Sequence, residues 1–311
     1  MAGFEPAYLE TRRSGLLKEK IATARQILAD CVLCPRQCRV DRLSGQLGIC
    51  KTGARAWVSS YCPHLGEEAP LVGKHGSGTI FMTHCNLLCV FCQNFDISHQ
   101  GQGRPVTAEQ LAGFMLDLQD AGCHNINFVT PSHVAPQILA AVDVAAERGL
   151  RVPLVYNSGG YDRVQSLELF EGVFDVYMPD FKFWDPDIAR TTCNAPDYPA
   201  VARAAIKEMH RQVGDLSIDD DGIARRGLLV RHLVLPRGLA GTAEVMRFIA
   251  TEVSDRTYVN IMPQYRPCGR AADVEALARR ITTNEFEAAL TSARKEGIAR
   301  LDSRRRVFAL L

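Results

Sequence analysis

At 311 residues the chain is long enough for one large or two small domains, and a hydrophobic content of 47% supplies an ordinary globular core. The 36 basic and 35 acidic residues leave a net charge of +1, which argues against a nucleic-acid surface. No apolar run reaches the ~18 residues that a membrane span needs, and the first thirty residues carry Glu5, Glu10, Arg12, Arg13 and Glu19 in place of a signal-like apolar stretch, so the expected location is the cytoplasm.

In chain order, Leu17, Ile21, Ala24 and Leu28 lie at helical spacing and predict an amphipathic helix within residues 13–30. Directly after it comes Cys31-Val-Leu-Cys34-Pro-Arg-Gln-Cys38, followed by Cys50, a C-x2-C-x3-C-x11-C set. The chain has 11 cysteines, an odd number clustered at ligand-like spacings, which favours metal thiolates over a disulfide framework. Four thiolates grouped in this way can surround a tetrahedral zinc or the corners of an iron-sulfur cluster, and the spacing leaves both open. Such a site would be closed, with a structural or electron-transfer role. Cys62 is a candidate substitute ligand, although a buried thiol is the plainer expectation. Gly73-Lys-His-Gly76-Ser-Gly78 is not a phosphate loop: a Walker-type lysine follows the last glycine, whereas Lys74 comes early and the strand comes after.

From Thr79 onward strand and helix alternate. Strands are predicted over 79–83, 126–130, 152–156, 173–178, 228–235 and 258–262. Helices are predicted over 107–121, 135–147, 164–171, 198–212, 243–253 and 271–281, with a last one over 284–298. Thr107-Ala-Glu-Gln110 is a capping box. Six βα units in series imply parallel strands with right-handed crossovers closing into a partial barrel, with a doubly wound sheet as the alternative. Arg304-Arg-Arg306 is expected to be a solvated tail.

In a barrel of this kind ligands sit at the C-terminal strand ends. The first strand delivers Cys85-Asn-Leu-Leu-Cys89-Val-Phe-Cys92, a C-x3-C-x2-C loop. Three thiolates in one tight loop suit an iron-sulfur cube and leave one iron with open coordination. Asp180 and Lys182 stand two apart and face the same way on a strand. His133 is expected to be a structural hydrogen-bonding residue, and His84 and His99 flank the loop as candidate tuners. Cys268 is either a redox-active thiol over the cavity or a plain loop cysteine.

With Phe91 just ahead of its third cysteine, the loop resembles the signature of the radical S-adenosylmethionine (SAM) superfamily. The ordered blocks, from the Cys31 set through Gly76-Ser-Gly-Thr-Ile-Phe81, the Cys85 loop with Gln93-Asn94, Thr130-Pro131 and Met262-Pro-Gln264-Tyr-Arg-Pro267, are similar to the PflX branch, homologues of the pyruvate formate-lyase activating enzyme. The match runs from about Cys31 to Leu301. The resemblance implies an α/β fold, a partial (β/α)6 barrel of radical SAM type with an N-terminal cysteine-rich extension. Its segments would be 1–75, an N-terminal helix and metal-binding stretch; 76–283, the barrel; and 284–311, a C-terminal helix and tail.

The resemblance also implies a catalytic 4Fe-4S cluster on Cys85, Cys89 and Cys92, with Phe91 against the adenine of SAM. Asn94, Thr130, Pro131, Ser132, Asn157, Ser158, Asp180, Lys182 and Arg231 would complete the cofactor-binding set. A second metal, zinc or iron-sulfur, would sit on Cys31, Cys34, Cys38 and Cys50. The implied chemistry is reductive cleavage of SAM to a 5′-deoxyadenosyl radical for hydrogen abstraction. Flavodoxin or ferredoxin would be the electron donor and a glycyl-radical enzyme the partner. Where the superfamily carries a Gly-Gly-Glu-type segment, this chain has Thr130-Pro131-Ser132-His133, which leaves the backbone to do that work. Radical modification of a peptide, RNA or small molecule, and a non-enzymatic zinc or electron-transfer scaffold, remain open alternatives.

Overall fold

The computed structural model describes residues 4–302. Arg304-Arg-Arg306 lies outside the described residues. The strands are β1 Ala56–His64, β2 Ser77–Met82, β3 Arg104–Val106, β4 Ile126–Val129, β5 Leu154–Ser158, β6 Val176–Pro179, β7 Ser217–Ile218, β8 Ala224–Leu233 and β9 Tyr258–Met262. β2, β4, β5, β6, β8 and β9 pair in that order, each parallel to the next. This sequential order has no reversal, whereas a doubly wound sheet turns back at a switch point. Antiparallel strands join at the flanks: β1 pairs with β2, β3 with β1, and β7 with β8. The fold is therefore mixed α/β with a mostly parallel sheet. β1 belongs to the 1–75 segment yet pairs within the same sheet as the 76–283 segment.

The strand sequences explain the layering. β5, β6 and β9 are buried along their whole lengths, as expected of parallel strands covered on both faces. Helix Ala135–Glu147 turns Ile138, Leu139, Val142 and Ala145 inward, and Pro at its start fits the first turn, where an N–H would be unpaired anyway. Helix Ala108–Asp120 begins with the expected capping box: Gln110 N donates to the Thr107 hydroxyl at 3.2 Å, and Thr107 N donates to Gln110 Oε1 at 3.0 Å. Phe128, Tyr156, Phe174 and Tyr177 pack edge to face beneath the sheet; each such fully buried side chain contributes about 1.5–3 kcal/mol.

The expected helix over 271–281 is absent. Two short 3-10 turns, Ala271–Asp273 and Glu275–Leu277, stand there, separated by Val274 in an extended conformation. Tyr265 draws this stretch onto the loop after β9 by donating its hydroxyl to Leu277 O at 2.7 Å. The 243–253 helix runs as Thr242–Phe248 and then widens into a π turn, Ile249–Val253. Helices Ala7–Arg13 and Pro186–Cys193 were not anticipated. No helix among the described residues is long and apolar enough to cross a membrane.

Candidate active site

The loop after β2 folds tightly because His84 and Leu88 adopt left-handed φ angles of 71° and 58°. Such conformations cost non-glycine residues about 1–3 kcal/mol and concentrate at functional sites. Leu87 N donates to the Cys85 sulfur at 3.3 Å, and the Ser98 hydroxyl donates to the Cys92 sulfur at 3.3 Å. Asn86 anchors the loop by donating to Tyr161 O at 2.8 Å. Burial pushes the Cys85 thiol up to about 12 and raises that of Cys92. Cys89 is raised further, first by a hydrogen bond with Cys193 and then by burial. A coordinated cation inverts this balance, because a metal-bound thiol is deprotonated outright.

The loop forms one wall of a cavity of ≈ 380 Å³ whose other walls are strand ends. Cys85, Cys89, Cys92, Phe91, Asn94, Thr130, Asn157, Ser158, Asp180, Lys182 and Arg231 all line it. Phe91 is held edge-on by Phe183 and Tyr265, at centroid distances of 5.8 and 6.0 Å. Across the cavity the Asp180 carboxylate accepts from Lys182 Nζ at 2.5 Å and from Arg231 Nε at 2.7 Å. Arg231 Nη2 also donates to Asn157 Oδ1 at 2.6 Å. Burial alone would raise the Asp180 carboxyl; the Arg231 and Lys182 charges outweigh it and hold the group below the usual range. Lys182 is raised despite burial, chiefly by Asp180. The buried Gln264 side-chain oxygen, on a residue that lines the cavity, has no hydrogen-bond partner among the described residues.

Pro131 and Ser132 are not among the residues that line the cavity. Both are buried in the turn after β4, where Val134 N donates to Pro131 O at 2.9 Å. The Ser132 hydroxyl is taken up by Asp162 and Tyr156 behind the strand ends. Thr130, in contrast, sits at φ 62° and donates its N–H to Asn157 O at 2.8 Å.

Cys31, Cys34, Cys38 and Cys50 line a second, narrow cavity together with Arg36, Arg42 and His133. Arg42 is 1% exposed; its guanidinium donates to His133 O at 2.9 Å and to Gly53 O at 3.0 Å, and lies 3.8 Å from the Cys31 sulfur. Gly48 is needed beside Cys38, because a Cβ there would stand 2.8 Å from its sulfur. Burial pushes Cys34 up to about 12 and raises Cys50. Among the described residues no three His, Cys, Asp or Glu side chains stand close enough to share a single metal ion. A cube, which takes one ligand at each corner, asks for a wider set.

His133 is structural, as expected: its Nε2 lies 2.9 Å from Thr83 O, and burial lowers it to about 3. Cys62 is exposed on β1 beside Thr79, contrary to the expected buried thiol, and does not join the four-cysteine cavity. Cys268 lines neither cavity. Three features escaped the sequence reading. Arg36 donates to Asn86 O at 3.0 Å, Leu87 O at 3.3 Å and Cys193 O at 2.8 Å, so the first cysteine set grips the second. Glu67, 3.2 Å from His64 and 3.9 Å from Arg231, adds a carboxylate to the cavity wall. The segment ending in Cys193 lies beside the loop, with Thr192 O accepting from Val90 N at 2.9 Å. Only the Cys-Pro-Arg block carried any local signal.

A mixed α/β protein whose parallel strand ends meet a three-cysteine loop in one cavity is what these observations define. No family model matches the chain. It is 32% identical over 295 residues to the uncharacterized protein MJ0674 of Methanocaldococcus jannaschii, a match spanning 92% of this chain and 81% of that protein. The chain belongs to the family of that protein. Among solved structures it is similar to methylornithine synthase (PylB), with a TM-score of 0.45 and 15% identity over 72% of this chain and 70% of that one. It is also similar to HydG, a maturase of the FeFe-hydrogenase, with a TM-score of 0.46 and 10% identity over 71% of this chain and 49% of that one.

Proposed function

We propose that the protein is a radical SAM enzyme. One observation carries the reading: the three thiols of a C-x3-C-x2-C loop share a single cavity with a carboxylate that two cations approach at 2.5 and 2.7 Å. Cys85, Cys89 and Cys92 would hold a 4Fe-4S cluster, and their number leaves one iron for an exogenous ligand. When bound, the cluster supplies the electron that cleaves SAM reductively to a hydrogen-abstracting 5′-deoxyadenosyl radical.

The chain's own residues bind and orient. Lys182 and Arg231 offer positive charge to a ligand carboxylate, while Asp180 keeps both cations in place and offers an acceptor to hydroxyl groups. Phe91 presents a ring fixed by two neighbours, suited to lie against a base. Phe81, Leu87, Leu233 and Met262 give the cavity apolar walls that exclude water. The sequential order of the six parallel strands supports the partial-barrel reading of the sheet. The four N-terminal cysteines line one cavity, which supports a second metal group there of the wider, iron-sulfur kind in preference to a single zinc ion. By the resemblance to activating enzymes, the hydrogen donor is a glycine of a partner protein and the reductant a flavodoxin or ferredoxin.

The test is anaerobic reconstitution with iron and sulfide, then reduction by dithionite in the presence of SAM and chromatography for 5′-deoxyadenosine. Wild type is expected to form it and Cys92→Ala to form none. A folded wild type that carries a cluster and yields no 5′-deoxyadenosine sinks the reading.

A further inference from the structure

Apart from the two cysteine cavities, the surface carries a hollow of ≈ 370 Å³. It shares one wall residue with each of them: Leu88 also borders the larger cavity, and Arg36 also borders the four-cysteine cavity. Leu88 and Val90 stand on either side of Cys89, and Ile49 directly precedes Cys50, so neighbours of a cysteine from each set form its apolar part. The backbone fixes this arrangement. Val90 N donates to Thr192 O at 2.9 Å, and Arg270 N donates to Val90 O at 2.7 Å. The charge here has one sign. Arg36, Arg190 and Arg270 border the hollow, and among the described residues no aspartate or glutamate does. Arg36 spends its hydrogen bonds on the carbonyls of Asn86, Leu87 and Cys193, which leaves its charge unneutralised. Asp187 and Asp273 pair with Arg190 and Arg270 at the exposed rim, but surface pairs of this kind are weak and yield readily to a partner's carboxylates. The chain as a whole carries only +1, so the positive face is local. The loop that supplies Ile49 also exposes Leu43 and Leu47, which a small ligand in the hollow would leave in water. Exposed apolar side chains next to a rim of arginines are the anatomy of a protein interface.

We propose that this face docks an acidic electron-carrier protein of the ferredoxin type, whose carboxylates seat on Arg190 and Arg270. The position is the one an electron donor needs. A carrier held here lies against residues next to Cys89 and Cys50, yet it leaves the larger cavity open to a ligand, because the two spaces have only Leu88 in common. Each reduced carrier gives up one electron and is oxidised by one; the metal group on the chain is reduced by one, and no proton or atom changes hands. Positive charge on one side and negative on the other steers the encounter and fixes its orientation. The use made of the electron rests on the radical SAM reading; the docking face does not.

The experiment uses the reconstituted full-length protein and a reduced bacterial ferredoxin, which is acidic. Association is followed by biolayer interferometry at low and high salt, and electron transfer by bleaching of the protein's visible absorbance in a stopped flow without SAM. Ferredoxin is expected to bind wild type, and more weakly as salt screens the charges. Arg190→Glu combined with Arg270→Glu should slow both association and reduction by ferredoxin at least ~10-fold. Reduction of the same variant by dithionite should be unchanged, and Arg190→Lys with Arg270→Lys should keep most of the ferredoxin rate. The proposal is overturned by any of four results: no ferredoxin binding, equal ferredoxin rates in wild type and the reversed variant, equal slowing with dithionite, or equally tight binding of basic cytochrome c. A protein that takes the electron from ferredoxin and still forms no 5′-deoxyadenosine sinks the radical SAM reading and leaves the docking face standing, so the two ideas fail separately.

Discussion

The molecule holds two cysteine centres side by side that differ in kind. The N-terminal set has four cysteines around a narrow cavity sealed by Arg42, Val40 and Leu33. The loop set has three, placed on the wall of a roomy cavity whose far side carries Asp180, Lys182 and Arg231. Four ligands satisfy a metal and close it; three leave a position to be filled from outside. Arg42, buried beside the four-cysteine cavity, donates to His133 O and Gly53 O, whereas Asp180, Lys182 and Arg231 pair with one another on the wall of the larger cavity. Arg36 joins the two through the carbonyls of Asn86 and Leu87.

The sharpest way to separate the centres is Cys92→Ala. It is expected to lower 5′-deoxyadenosine formation at least ~100-fold, on the scale of losing an essential catalytic group. Metal analysis should still find the N-terminal set loaded, and loss of metal from both would show one cooperative site in place of two. Next in size is Asp180→Asn, which leaves Lys182 and Arg231 crowded without their carboxylate. Loss of the carboxylate that orients both cations is expected to raise the SAM dissociation constant ~10- to 100-fold by calorimetry, about 1.4–2.8 kcal/mol. Unchanged affinity would mean that the charged wall has no part in binding.

On the closed side, Arg42→Met removes donors from His133 O and Gly53 O. It should lower the unfolding free energy by roughly 2–4 kcal/mol in urea melts, the cost of orphaned buried acceptors. Arg42→Lys should not restore it, since one ammonium cannot span both carbonyls in the same fork. The smallest effect is expected from Gly48→Ala, whose Cβ would press on the Cys38 sulfur. Overpacking of this kind costs about 1–3 kcal/mol. It should show as a lower melting temperature together with weaker metal retention at the N-terminal set, and a fall in stability alone would place the strain elsewhere.

Most of the open centre was legible in the sequence because its chemistry lies within short windows. The cysteines are three and four apart, Asp180 and Lys182 are two apart, and each follows a recognisable apolar run. The parallel strands were legible too, since their buried faces leave nearly continuous β-branched and aromatic stretches. Pro131 and Ser132 share the strand end with Thr130, yet the turn after β4 buries both, which the sequence did not show. The 271–281 stretch has four helix-forming alanines and Leu277, but Tyr265 and the extended Val274 hold it as two turns. Arg36, Glu67 and Cys193 had no local signature at all.

By itself, then, the sequence determined the alternating α/β order, the three-cysteine loop, the four-cysteine set and the polar residues at each strand end, because periodicity and ligand spacing are properties of neighbours along the chain. Only the tertiary structure decided that β1 and β3 flank the parallel strands, that Arg36 reaches from one cysteine set to the other, that Glu67 faces Arg231 and that Val90 N meets Thr192 O. Those pairings join residues tens to more than a hundred positions apart, and only packing of the whole sheet brings such partners within reach of a hydrogen bond.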